Sequence, residues 1–328
     1  MTNSFQGKNV LVTGGLGFIG SNLAIELVRQ GARVTVLDSM VPEHGSNLKN
    51  IEPVADDLTV NISDMRDVNS TNILVRDRDY IFHLAGQVSH GDSMRDPQGD
   101  LGVNCLSTMN LVEACRYHNP HARLIFTSTR QVYGRADHLP VPESHPTVPV
   151  DVNGINKLAA EYYHLLYDRV YGVPSVVLRL TNTYGPRQQI RNDRQGFIGI
   201  LLRQALLGEK IRVFGTGQQV RDFNYVDDVV DALLLAAQHE ECFGRIFNLG
   251  APDNYSLLQF VEFLGELCDI EYELVPFPED KRIIDIGDFY GDYSAFKSVT
   301  AWEPTLGLRD GLERSLHWYR EHQEDYWG

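Results

Sequence analysis

The side chains able to do chemistry fall in four short stretches. In "DVNGINKLAAEYYH" (151–164), Asn153 and Lys157 stand four residues apart. That is one helical turn, so they share a face. The lysine offers an ammonium. The asparagine donates and accepts hydrogen bonds but is no base near neutral pH. "IFTSTRQVYG" (125–134) closes an apolar run with the hydroxyls Thr127, Ser128 and Thr129. "GGLGFIG" (14–20) places Gly14, Gly17 and Gly20 three residues apart, which lets backbone amides approach a pyrophosphate. In "QVSHGDS" (87–93), His90 is either a solvated loop histidine or a proton-transfer group.

These stretches need a scaffold that gathers strand ends. "NVLVTGG" (9–15) reads as a strand buried on both faces. "FIGSNLAIELVRQG" follows with Ile19, Leu23, Leu27 and Val28 on one helical face, and "RVTVLDS" (33–39) is a second strand. This β-turn-α-β unit is the start of a doubly wound α/β sheet. The second strand ends in Asp38, eighteen residues beyond Gly20. A carboxylate there binds an adenosine ribose and repels a 2'-phosphate, which favours NAD over NADP; a helix cap or surface acid is the plainer alternative. Further strands are expected in "DYIFHLAGQ" (79–87), "RLIFTSTRQVYG" (123–134) and "SVVLRLTNTYG" (175–185), with a helix at 103–118. Ligands of such sheets sit at the carboxyl ends of the strands. Asp38, Gln87, Thr127, Ser128, Thr129 and Asn182 all fall there.

The chain has 328 residues, 43% hydrophobic, enough for one large domain or two lobes. Its net charge of -15 repels polyanions, which argues against nucleic-acid and anionic-membrane partners. The four cysteines form no C-x-x-C pair. They read as small buried hydrophobes in a reducing compartment, with no metal site. No apolar run reaches membrane-spanning length, and the protein is expected in the cytoplasm.

Motifs along nearly the whole chain then resemble one family. They include "VTGGLGFIGS", "SDMRD", "FHLAGQVS", "IFTSTRQVYG", "NGINKLAAE", "RLTNTYGPRQ", "VFGTGQQVRDFNYVDDVVDAL" and "FNLGAPDNYSL". The chain resembles the extended short-chain dehydrogenase/reductases, specifically the NAD-dependent nucleotide-sugar epimerases and dehydratases. The resemblance implies a Rossmann domain with a smaller α/β substrate domain. It implies that Gly14, Gly17 and Gly20, with Phe18 and Ile19 between them, take the NAD pyrophosphate, and Asp38 the ribose. Asp64 and Met65 would flank the adenine. Leu84, Ala85, Gln87 and Thr127 would line the cofactor, Asn104 would support it, and Lys157 would hold the nicotinamide ribose. Thr129 matches the hydroxyl that meets the sugar. Asn182, Arg221 and Arg282 would bind a diphosphate, and Asp285 would lie near the nucleoside. Helices near 104–118 and 153–171 match a dimer interface. In the second, Leu158, Tyr162, Leu165, Leu166 and Val170 form a stripe that intramolecular packing explains equally well.

One residue departs from the family's Tyr-x-x-x-Lys pair: Asn153 stands where the tyrosine should be. The phenol is the family's proton acceptor when hydride leaves the sugar. Three readings remain: an enzyme with another base or an ordered water, a binder without turnover, or an engineered substitution. His90 and Tyr133 are candidate substitutes, though Tyr133 fits a structural role better. Asp151 or Asn153 could cap the helix. After Thr129 the chain has Arg130-Gln131, where dehydratases carry an Asp-Glu pair and UDP-glucuronate decarboxylases usually a glutamate. The leading reading is therefore a C4 epimerase of a UDP-sugar, with a 4-keto intermediate and recycled NAD. Arg130, next to the sugar, could instead attract a uronate carboxylate. Residues 1–185 plus about 222–252 are expected to form the NAD domain, and about 186–221 plus 253–328 the substrate domain.

Overall fold

A computed structural model describes residues 4–41, 44–192 and 194–327. Twelve strands are assigned among them: β1 (Asn9–Thr13), β2 (Arg33–Asp38), β3 (Thr59–Ile62), β4 (Tyr80–His83), β5 (Arg123–Thr129), β6 (Ser175–Leu180), β7 (Asn182–Tyr184), β8 (Ile211–Phe214), β9 (Val220–Tyr225), β10 (Ile246–Leu249), β11 (Asn254–Ser256) and β12 (Tyr272–Val275). Helices longer than two turns are α1 (Phe18–Arg29), α2 (Ser107–His118), α3 (Val152–Tyr171), α4 (Phe197–Leu207), α5 (Val226–Gln238), α6 (Leu257–Cys268) and α7 (Leu308–Glu321).

Seven strands make one parallel sheet in the order β10-β6-β5-β4-β1-β2-β3. This is the Rossmann order with one strand added. Alternation along β1 explains its burial on both faces. Val10 and Val12 join the core that holds Leu23 and Leu27 of α1 and Val229 and Leu233 of α5. Leu11 joins the opposite core with Leu111 and Cys115 of α2 and Tyr167 of α3. Three short strands form a second sheet, β11-β9-β7, and β12 pairs with β8. The expected strand 175–185 therefore divides. Its first part stays in the large sheet as β6, and Asn182–Tyr184 turns away to pair with β9. No described helix is long and apolar enough to cross a membrane.

The sheet is pinned to α3 by a buried ion pair. Arg179 on β6 meets Glu161 on α3 through two bonds, 2.9 Å from Nε and 2.6 Å from the terminal nitrogen. Ser128 donates to the same carboxylate. Removing one partner leaves the other charge buried alone, which costs about 3–5 kcal/mol. Glu161→Gln should lower the urea midpoint by the equivalent amount at an unchanged m-value.

Candidate active site

The order of the large sheet reverses between β1 and β4, which opens a crevice above their carboxyl ends. A cleft of about 710 Å3 occupies it. Each wall is the end of a strand. β1 delivers Gly14, β2 delivers Asp38, β4 runs into Leu84–Gln87, and β5 ends at Thr127–Arg130.

The glycine loop has no room for side chains. Gly14 sits at φ +69°, and a Cβ on it would lie 2.8 Å from the Ala85 amide nitrogen. A Cβ on Gly20 would lie 2.2 Å from the Gly14 carbonyl oxygen. Gly17 caps α1 without a side-chain bond, so the first amides of α1 lack side-chain partners where Gly17, Phe18, Ile19 and Gly20 line the cleft. This cradle fits a pyrophosphate, because amide donors and the positive helix end converge on it. Asp38 does two things. It lines the cleft, and it accepts bonds from the amides of Leu16 (3.1 Å) and Met40 (2.9 Å) and the Ser46 hydroxyl (2.7 Å). Asp64 and Met65 line the same end. The Arg66 guanidinium bonded to Asp64 holds its carboxyl below the usual range.

At the other end, the Gln87 carbonyl organises the wall. It accepts from Asn104 Nδ2 at 3.0 Å and from Asn153 Nδ2 at 2.7 Å. Asn104 stands behind the wall, as a support would. It lies within a π-helical stretch, Leu101–Leu106, that leads into α2. Gly86 makes room here, since a Cβ on it would meet Asn104 Oδ1 and Lys157 Nζ within 3 Å. Lys157 donates to the Thr127 carbonyl at 3.2 Å. Burial pulls its ammonium down to about 8, against the pull of Asp100 and Glu161.

The structure decides which residue caps α3. Asp151 does, accepting from the Gly154 amide at 2.6 Å. Asn153 is thereby released to face Gln87 and Asp100, whose Oδ2 lies 3.3 Å from Asn153 Nδ2. The second Asp100 oxygen takes Asn156 Nδ2 at 2.7 Å. Sequence reading missed Asp100 and Asn156. The available signal was spacing: Asp100 lies one helical turn before Asn104, and Asn156 beside Lys157.

Thr129 lines the cleft and accepts from the Gln131 amide at 3.2 Å. Arg130 beside it also lines the cleft, and its buried Nε has no hydrogen-bond partner among the described residues. Burial and the nearby Arg221 bring its guanidinium down to about 10, still protonated at neutral pH. Asn182 lines the cleft while donating to the Asp222 carbonyl at 2.9 Å. His90 lines it too, with Nδ1 2.9 Å from Asp151 Oδ2. Tyr133 does not reach the wall: it is fully buried and donates to Asn248 Oδ1 at 2.7 Å.

Three expected substrate residues lie outside the cleft wall. Arg221 is buried and bonds the carbonyls of Val220 and Gly287 and, at 3.4 Å, Asp285 Oδ1. Asp285 also accepts from Gln219 at 2.7 Å. Arg282 is exposed and pairs with Glu279 at 2.7 Å on a short helix. The wall instead receives Arg95 and Arg194, both paired with Asp92, at 3.1 and 3.3 Å.

Comparison with known proteins follows the same lines. Residues 10–250 match the model of the NAD dependent epimerase/dehydratase family. A putative UDP-glucose 4-epimerase of Methanocaldococcus jannaschii is 32% identical over 95% of this chain and 98% of its own length. The UDP-glucose 4-epimerase of Thermotoga maritima, solved with UDP-glucose, superposes with a TM-score of 0.88 at 31% identity, covering 96% of this chain and 99% of that one. MoeE5, solved with UDP-glucuronic acid and NAD, superposes at 0.84 with 29% identity over 96% and 99% of the two chains.

Proposed function

This chain belongs to the NAD-dependent epimerase/dehydratase family, and from that premise we propose that it is a nucleotide-sugar epimerase acting at C4 of a UDP-sugar. NAD is the cofactor. When bound it supplies a hydride acceptor that later returns the hydride. The glycine loop with Phe18 and Ile19 would hold its pyrophosphate, Asp38 its ribose, Asp64 and Met65 its adenine. Leu84, Ala85, Gln87 and Thr127 would form its wall, backed by Asn104, and Lys157 would hold the second ribose. Thr129 would meet the reacting hydroxyl. Asn182 would meet the diphosphate. Arg221 and Asp285 would shape the field around Arg130, and Arg282 would join only if its segment moved toward the cleft. The cofactor lobe in this reading is 1–185 plus about 222–252.

One observation carries the choice of reaction. The cleft joins the cofactor cradle to Thr129 and Lys157, yet the two residues after Thr129 are a cation and an amide. The Gln131 amide is already committed to Asp151 Oδ2 at 2.9 Å. Loss of water from the sugar needs an acid there, whereas epimerisation needs only hydride and proton transfer that reverse on the other face. Incubation with a panel of UDP-, CDP- and GDP-sugars, read by NMR and mass spectrometry, tests this. A product isomeric with a UDP-sugar substrate is expected. A product lighter by water or carbon dioxide would overturn it.

A second reading has its own observation. The unpartnered Nε of Arg130 beside Thr129 suits a sugar carboxylate, which arginine binds through paired bonds. If the substrate is a uronate, Arg130→Met should lower kcat/KM for it about 10- to 100-fold, as loss of a charged hydrogen bond does, and spare the neutral sugar.

The proposal includes a homodimer. Of the stripe, Tyr162, Leu166 and Val170 are exposed in the single chain, as are Ile155 of α3 and Tyr117 of α2, whereas Leu158 packs against the cluster of Val132 and Tyr133; the exposed part is the proposed contact. Sedimentation should report a mass of two chains.

A further inference from the structure

We propose that His90, held by Asp151, takes and returns the proton that the family's tyrosine would handle. The inference rests on the epimerase reading and identifies the group that reading lacks.

The geometry of the pair is that of an oriented base. His90 opens a short helix, His90–Arg95, capped by Ser89, whose Oγ accepts from the Asp92 amide at 3.1 Å. One edge of its ring is buried: Nδ1 has no exposed surface and lies 2.9 Å from Asp151 Oδ2, an ion-pair distance whose angle falls short of a hydrogen bond. The side chain as a whole is 36% exposed, and the residue lines the cleft. The ring therefore has a buried edge against a carboxylate, and its partly exposed side chain belongs to the cleft lining. A carboxylate at Nδ1 selects the tautomer with its proton there, which leaves Nε2 as an acceptor.

Asp151 is placed to hold that arrangement. Its side chain is fully buried. Oδ1 takes the Gly154 amide, and Oδ2 takes Gln131 Nε2 at 2.9 Å. Burial alone would push its carboxyl up, but His90, Gly154 and Gln131 hold it below the ordinary range. It stays an anion at neutral pH. It is also the cap of α3, so the helix carrying Asn153 and Lys157 fixes its position. Gln131 ties it to the turn after Thr129. One carboxylate thus ties together the β4 loop, the β5 turn and α3.

Other groups of this wall are committed elsewhere. Both oxygens of Asp100 are taken by the amides of Asn153 and Asn156. Asp92 pairs with Arg95 and Arg194. Lys157 donates to Thr127. Asn153 cannot bind a proton near neutrality. Beside Asp151, the charged groups that line the cleft with His90 include Asp92, Arg95, Asp96, Asp100, Arg130, Lys157 and Arg194.

The proton balance is simple. NAD bound in the cradle would supply the hydride acceptor. His90 Nε2 would take the hydroxyl proton as the O–H electron pair becomes the second carbon–oxygen bond, and would give that proton back to the oxygen when the hydride returns to the other face. No further oxidant or base is consumed.

The test uses the NAD-loaded protein and the UDP-sugar that the wild type converts. His90→Gln should lower kcat about 10²- to 10⁴-fold with NAD retention and melting temperature unchanged. In His90→Gly, added imidazole should restore turnover in proportion to its neutral form. Asp151 is a positioning residue. Asp151→Asn keeps a capping side chain but removes the charge beside the ring, so the acidic limb of kcat/KM should move to lower pH by roughly one unit. A merely structural aspartate would leave that limb in place. Turnover of His90→Gln within twofold of wild type overturns the assignment while the epimerase reading stands. Loss without imidazole rescue, or with a lowered melting temperature, marks a structural histidine and also overturns it. A wild type that converts no sugar in the panel overturns the epimerase reading, and the assignment with it.

Discussion

Gly20→Ala should give a folded protein that no longer keeps NAD through purification. The argument is steric and local. A Cβ at position 20 would lie 2.2 Å from the Gly14 carbonyl oxygen, 2.8 Å from its carbon and 2.9 Å from Gly15 Cα. All three are backbone atoms, so no side chain can swing away. Either the loop or the start of α1 must shift, and overpacking of this kind costs about 1–3 kcal/mol. That cost falls on the segment proposed to hold the pyrophosphate. The expected loss is therefore about 10- to 100-fold in NAD affinity, measured by calorimetry on stripped protein. Unchanged affinity would mean that this loop does not hold the cofactor.

Lys157→Met should also lower turnover strongly. The ammonium is buried between the Thr127 carbonyl and the ring of Phe126, 4.9 Å from the ring centroid. A fixed charge in a site closed to water stabilises developing negative charge far better than it would in solution, and losing such a group costs about 10²–10³ in kcat. Methionine preserves length and fills the space, so the fold should persist. Stability gives an independent check on the burial. The folded lysine titrates near 8, below its unfolded value of about 10.4. Between those two values the unfolded chain binds more protons, so wild-type stability gains a rising component as pH climbs through that window. Below pH 8 the cost of burying the charge is fully present. Urea midpoints of cofactor-free wild type minus those of Lys157→Met should increase from pH 8 to pH 10. A flat difference would place the ammonium in water.

What the sequence made legible was what local rules encode. The glycine spacing, the acid that ends β2 and the apolar face of α1 are each set by neighbours in the chain. What long-range pairing decides was not legible. "TVNI" (59–62) is a half-exposed edge strand with no burial pattern to announce it. The break between β6 and β7 depends on β9, since Asn182 and Thr181 bond to Asp222 and Asn224. Arg282 fits the motif by position, and its pairing with Glu279 three residues away is local, yet whether that short helix meets the cleft depends on how the distant segment folds back. Asp151 was legible as a cap. Its contact with His90 was not, because nothing local links them.

Deuterium tests the central claim, reversible hydride transfer at one carbon with the hydride kept on the enzyme, most directly. The reaction should be run in D2O with the UDP-sugar that the panel identifies, and the product carbon read by NMR. The account predicts an epimer that carries its original, unexchanged hydrogen at C4, because that hydrogen never leaves as a proton. A product deuterated at the inverted carbon would show that epimerisation proceeds by proton abstraction from carbon, and would contradict the account.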